Sequence, residues 1–145
     1  PFRSAADVEA LVQGLQDGTI DVLVSGHTPQ DAEAKNLEFD LADFGIINLE
    51  TAFAVANTHL KDQLNLESLI TKLVHKPRQI LNLPVPEIKV GAVANLTVFH
   101  PEKTWVPTPA QTQSKSLNSP FFGQTLTGKV AAIVNKGQAV FNPNF

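Results

Sequence analysis

The run Ile20-Asp21-Val22-Leu23-Val24-Ser25 is short and almost continuously apolar. A run of that kind reads as a strand buried on both faces in a parallel sheet. Such a strand needs strand neighbours and covering helices, so it points to an α/β architecture. It passes into a polar turn, Gly26-His27-Thr28-Pro29-Gln30. A second junction, Phe44-Gly45-Ile46-Ile47-Asn48-Leu49-Glu50-Thr51, then leads into a helix. In β/α enzymes the catalytic side chains sit at the C-terminal ends of strands. Here the position after Ser25 is Gly26, which has no side chain to offer. The segment reads as a strand-end site with its key group removed.

The flanking pattern is helical. Ser4-Ala5-Ala6-Asp7 has the form of a capping box with Asp7 in the usual Glu place. Val8, Leu11, Val12 and Leu15 follow at helical spacing as one apolar face. Gly14 weakens this helix slightly and Gly18 ends it. Residues 30–43 are polar and acidic without a period and read as a loop. Asn48 is placed to cap a helix burying Leu49, Ala52, Phe53 and Ala56. Asn65 is placed to cap another, with Leu66, Leu69, Ile70 and Leu73 inward. Pro77 breaks that helix or starts a short one through Leu81. Leu83-Pro84-Val85-Pro86 reads as a linker. After Lys89 the pattern turns to strands. Leu96, Val98 and Trp105 fall in short β segments, and Val130–Val134 and Gln138–Phe141 flank a hairpin turn at Asn135-Lys136-Gly137.

Composition removes several classes of function. With 145 residues, of which 43% are hydrophobic and 17% charged, the chain has the apolar content for a core. Its net charge of −3 gives no electrostatic case for nucleic acid. The absence of cysteine excludes disulfides and thiolate metal sites. No apolar run approaches the ~18 residues of a membrane span. A cytoplasmic location is expected.

The candidate chemistry is thin. Gly26 can neither hold a cation nor relay a proton, both of which need a side chain such as a carboxylate. His27 is either a ligand or, on the plainer reading, a hydrogen-bonded core histidine. Gln30 donates a hydrogen bond but carries no charge. Gly45 suits a close backbone approach, and Asn48 suits a helix start. His59, His75 and His100 are scattered without the i, i+4 spacing of a helical metal site. Asp40 and Asp43 lie near one another in the loop, with nothing else to suggest acid–base work. Residues Ser114 to Ser119 are rich in hydroxyls, but no histidine–aspartate pattern accompanies them, and Ser and Asn suit tight turns.

Taken together, these motifs resemble the dihydroorotases, zinc amidohydrolases of pyrimidine synthesis. Ser25-Gly26-His27-Thr28-Pro29-Gln30 is similar to the family's Thr-Asp-His-Ala-Pro-His. Gly45-Ile46-Ile47-Asn48-Leu49-Glu50-Thr51 is similar to its Gly-Ile-x-Gly-Leu-Glu-Thr. Ala94-Asn95-Leu96-Thr97-Val98-Phe99-His100-Pro101 resembles Ala-Asp-Leu-x-x-x-Asp-Pro, and Ser114–Phe121 and Leu126–Val130 resemble the family tail. The resemblance implies the C-terminal part of a (β/α)8 barrel over residues 1–83 and a β-sandwich segment over 84–145. A full barrel takes about 250 residues, so most of one is missing. Pro1-Phe2-Arg3 resembles a family loop interrupted in the middle, and the chain reads as the C-terminal portion of a longer protein.

The resemblance also assigns roles. Gly26 stands at the family's metal-binding aspartate, the general base, and that group is lost. Gln30 stands where a histidine contacts the substrate carboxylate. Gly45 and Asn48 match a loop whose backbone touches substrate, with Asn48 replacing a glycine. The family's other zinc ligands fall outside this segment, so no metal site is expected here, although the complete enzyme uses zinc. The family reaction interconverts N-carbamoyl-L-aspartate and dihydroorotate, and this chain alone is expected to be inactive. The other readings are a non-catalytic scaffold holding aspartate transcarbamoylase, or an active cyclic-amide hydrolase once joined to its N-terminal part. The expected partner is that N-terminal part or a second copy, with neither nucleic acid nor membrane.

Overall fold

A computed structural model describes residues 3–145. Pro1 and Phe2, and with them the reading of the opening tripeptide, lie outside the described residues. Helix α1 spans Ala5–Asp17. Ser4 Oγ accepts from Asp7 N (3.2 Å), and the Asp7 carboxylate accepts from Ser4 N (3.1 Å) and Ser4 Oγ (2.7 Å). That is the capping box expected. Gly18 ends the helix at φ 86°. The apolar stripe is only partly covered: Leu15 is buried, but Val8 and Leu11 are about half exposed. Gly14 matters more than its propensity suggests. A Cβ there would lie 3.1 Å from the Ile20 side chain, and Gly14 O accepts from Ile20 N at 2.8 Å.

Residues 20–25, expected as a buried strand, belong to no sheet. The reason is a lack of neighbours. Leu23 N donates to Lys72 O (3.1 Å), and Lys72 Nζ donates to Ile20 O (2.6 Å). One isolated parallel bridge, His27↔Ile46, follows. Val24 is 79% exposed. A short helix α2, Ala32–Lys35, capped by Asp31, interrupts the region read as loop.

Helix α3 runs Ala52–Leu60. Its inward residues are Ala54 and Asn57, with Thr51 buried just ahead of them, and Leu49 is exposed, so the expected face is rotated. What turns it is polar. Asn57 Nδ2 donates to Pro101 O (2.9 Å) and Thr127 O (3.0 Å), and Thr58 Oγ1 accepts from Thr127 N (2.8 Å). Helix α4, Leu66–Ile70, starts at Asn65, whose side chain accepts from Ser68 N. Leu69 is 1% exposed, while Leu66 faces outward. Pro77 stands in the first turn of a short helix whose C-cap is Leu81, the second of the two outcomes expected for it. A π-turn over Thr71–His75 leads into α5, Lys76–Ile80. Proline has no N–H to give the carbonyl four residues back, and the wider turn absorbs that loss.

The sheet has the order β1-β2-β3, all antiparallel, from Leu96–Trp105, Leu126–Asn135 and Gln138–Phe141. Lys136 (φ 49°) and Gly137 (φ 77°) form the two-residue hairpin turn. The sheet leans on α3: the Phe53 and Phe99 rings meet edge-on at 4.7 Å, and Gly128 leaves room for Phe53. Trp105 Nε1 donates to Gly128 O at 2.9 Å. The core is small, with Leu69 and Leu126 its most enclosed large side chains.

Candidate functional site

The strand end and the glycine junction meet at the His27↔Ile46 bridge, where Thr28 N donates to Ile46 O at 2.8 Å. All four residues singled out from the sequence, Gly26, Gln30, Gly45 and Asn48, lie on these two segments. Gly26 is exposed at φ 58°, and a Cβ built there would meet nothing within 4 Å. A side chain at this position would project into open space. Asp and Asn are among the residues that tolerate such a backbone.

His27 is committed internally. Its Nδ1 accepts from Asn48 N and Leu49 N, both at 3.1 Å, so the ring proton resides on Nε2. Gln30 Nε2 donates to Phe44 O (3.2 Å). Asn48 does not cap α3 as expected: that position falls to Thr51, which makes no side-chain cap bond. Asn48 Nδ2 instead donates to Ser25 O (3.1 Å), and its Oδ1 accepts from Thr51 Oγ1 (2.8 Å). Gly45, at φ 119°, lies so close to Thr28 that a Cβ would stand 2.7 Å from that side chain.

Three residues were not singled out from the sequence. Lys35 Nζ donates to Asp43 O (2.6 Å) and Gly45 O (3.3 Å). The Glu50 carboxylate accepts from Gln113 N (3.0 and 3.1 Å to its two oxygens) and Ser114 N (3.0 Å). Asn118 Nδ2 donates to Thr28 O (3.1 Å) and Gly45 O (3.2 Å). Glu50 lies in the Gly45–Thr51 motif and Asn118 in the Ser114–Phe121 motif, but neither pattern assigns them these contacts. Asp40 and Asp43 are exposed and form no acid–base pair.

Zinc, which the resemblance implies for the complete enzyme, does not fit the residues present. Gly26 has no donor atom, and His27 Nδ1 is taken by two backbone N–H groups. Among the described residues no group of three or more His, Cys, Asp or Glu could hold a metal ion. The cavity beside His27 is about 10 Å³, too small for a substrate. A larger hollow of about 700 Å³ is an open groove on another element, along α4 to α5, lined by Leu66, Glu67, Ile70 and His75 among others. No described helix is long and apolar enough to cross a membrane.

The fold is found in amidohydrolases. The L-hydantoinase of Arthrobacter aurescens superposes with a TM-score of 0.86 at 28% identity, covering 98% of this chain and 33% of that one. The inactive dihydroorotase-like domain of the Chaetomium thermophilum CAD-like multifunctional protein gives 0.68 at 24% identity, covering 98% and 39%. The chain is a small α/β unit corresponding to about a third of these amidohydrolases. In sequence its homologues are dihydroorotases. That of Syntrophus aciditrophicus is 42% identical over 142 residues, which are 97% of this chain and 33% of the relative. The chain therefore spans about a third of the length of the curated relatives it matches. No family model matches it.

Proposed function

We propose that this chain is the C-terminal part of a dihydroorotase-like protein, that it serves by completing a larger fold, and that its strand-end site performs no catalysis with its own residues. The observation that carries the reading is Gly26. It stands where the resemblance places the metal-binding general base, and among the described residues no group of three or more His, Cys, Asp or Glu could hold a metal ion. His27 Nδ1 and Gln30 Nε2 are engaged within the chain, and neither side chain is a carboxylate that could hold a cation and relay a proton together.

The need for a completing partner rests on surface. The accessible area is 10188 Å² for 15.7 kDa, against roughly 7,300 Å² for a compact monomer of that mass. The excess is well beyond the ~800 Å² that one side of a standard interface buries. Val24 and Phe44 (both 79% exposed) and Ile88 (91%) contribute to it. The N-terminal part of the same protein is the occupant that the length of the relatives favours.

The same exposed surface supports a second reading, a non-catalytic scaffold that holds a transferase such as aspartate transcarbamoylase. Copurification of the full-length protein with a transferase separates the two. The test of the catalytic claim is dihydroorotase turnover by the full-length protein in the presence of zinc. Gly26 should give none and Gly26→Asp should give some. Turnover with Gly26 in place would overturn the reading.

A further inference from the structure

We propose that Asn118 is a positioning residue for the strand-end site, carried there by a loop that Glu50 anchors. Asn118 lies about ninety positions after the strand end, yet one amide reaches both segments of the site. Its Nδ2 donates to Thr28 O (3.1 Å) and to Gly45 O (3.2 Å). Its Oδ1 accepts a long bond from Gln30 N (3.4 Å), and its own carbonyl accepts from Ile47 N (3.2 Å). Both sides of the His27↔Ile46 bridge are thus tied to one residue. The other end of the loop is fixed at Gln113 and Ser114 by Glu50, which lies at the start of α3.

The chemistry of the clasp is specific. An amide is the small side chain that presents two donors and an acceptor at once. Asn118 gives Thr28 O a donor, gives Gly45 O a donor beside Lys35 Nζ, and gives Gln30 N an acceptor. A side chain at position 45 could not take over this task, because a Cβ there would stand 2.7 Å from the Thr28 side chain. The direction in which a side chain at 26 would project is therefore set from the C-terminal segment. This role is independent of the chemistry proposed for Gly26: it concerns where the segments lie, whatever occupies them.

Hydrogen exchange read by mass spectrometry on the full-length protein tests it, with ¹⁵N spectra of histidine-labelled protein alongside. Asn118→Ala should speed exchange in peptides covering 26–30 and 44–49 by about tenfold, as the loss of one or two hydrogen bonds implies. Peptides from α4 and β2 should stay within roughly twofold, and the His27 Nδ1 acceptor signal should be lost. Asn118→Asp keeps the acceptor but sets a carboxylate against two carbonyls, so it should behave like Asn118→Ala. Glu50→Gln should give a smaller change of the same sign at 44–49, which keeps the test available if Asn118→Ala does not fold. Asn142 donates to Val130 O at 2.8 Å in the C-terminal tail, so Asn142→Ala should disturb β2 and spare 26–30. Uniform acceleration, no change at 26–30 and 44–49, or rescue by Asn118→Asp would overturn the proposal.

Discussion

Gly45 and Thr28 approach so closely that a Cβ on Gly45 would stand 2.7 Å from both Cβ and Cγ2 of Thr28 and 3.0 Å from its carbonyl oxygen. The Gly45 backbone is also at φ 119°, where residues with a side chain are strained. Gly45→Ala should cost about 1–3 kcal/mol, read as a lowered urea midpoint with the slope unchanged. Gly18→Ala meets no atom within 4 Å and should cost less, since only its backbone conformation is strained. An equal loss from the two would show that the contact with Thr28 is unimportant.

Asn57 is the buried link between α3 and the sheet, 7% exposed and donating to two carbonyls. Asn57→Leu leaves Pro101 O and Thr127 O without donors. It should destabilise by about 1–3 kcal/mol despite adding apolar volume. A neutral or stabilising outcome in denaturant titration would mean that water replaces the amide at no cost.

The Ser4 hydroxyl, and then the Ser4 backbone N–H, hold the Asp7 carboxyl below its usual range. The Thr19 backbone N–H does the same for Asp17 at the other end of α1. A carboxyl whose folded pKa lies below its unfolded value adds stability above the unfolded value, near 3.8, and loses it as pH falls through the folded value. Both groups are fully exposed, so the effect is small. A melting series from pH 6 to pH 2.5 should show Asp7→Asn losing less on acidification than the parent. Parallel curves would contradict the capping assignment.

If Gly26→Asp restores activity in the full-length protein, adding Gln30→His should raise it further, mainly through KM. The added imidazole acts on substrate binding and not on proton transfer. Because Gln30 Nε2 now holds Phe44 O, the histidine must also replace that bond, and recovery should be partial. A gain confined to kcat would place residue 30 in the proton transfer step instead.

What was legible in the sequence was local. The Ser4–Asp7 box, the Gly18 stop, the Asn65 cap and the Lys136-Gly137 turn each depend on residues within four positions, and the structure has them all. The strand end and the glycine junction, which carry their own turn chemistry, are brought together at the His27↔Ile46 bridge. Failures came where distant partners decide. Asn48 was read as a cap, but its amide serves Ser25, 23 positions away. The α3 face was set by carbonyls 44 and 70 positions downstream of Asn57. Asn118 lay in a motif but its contacts were not legible, because its bonds span 73 to 90 positions. Residues 20–25 have the composition of a buried strand but no neighbours to pair with.

That last point holds the central claim, that this chain is built to be completed by another. An apolar strand-like segment without strand neighbours is a template for pairing. Light scattering on the purified 145-residue chain, with a thermal melt on the same sample, tests this most directly. Oligomers or strand-swapped species well above 15.7 kDa are expected, dispersed by adding the N-terminal part of the full-length protein. A monodisperse 15.7 kDa monomer with one cooperative transition would contradict it.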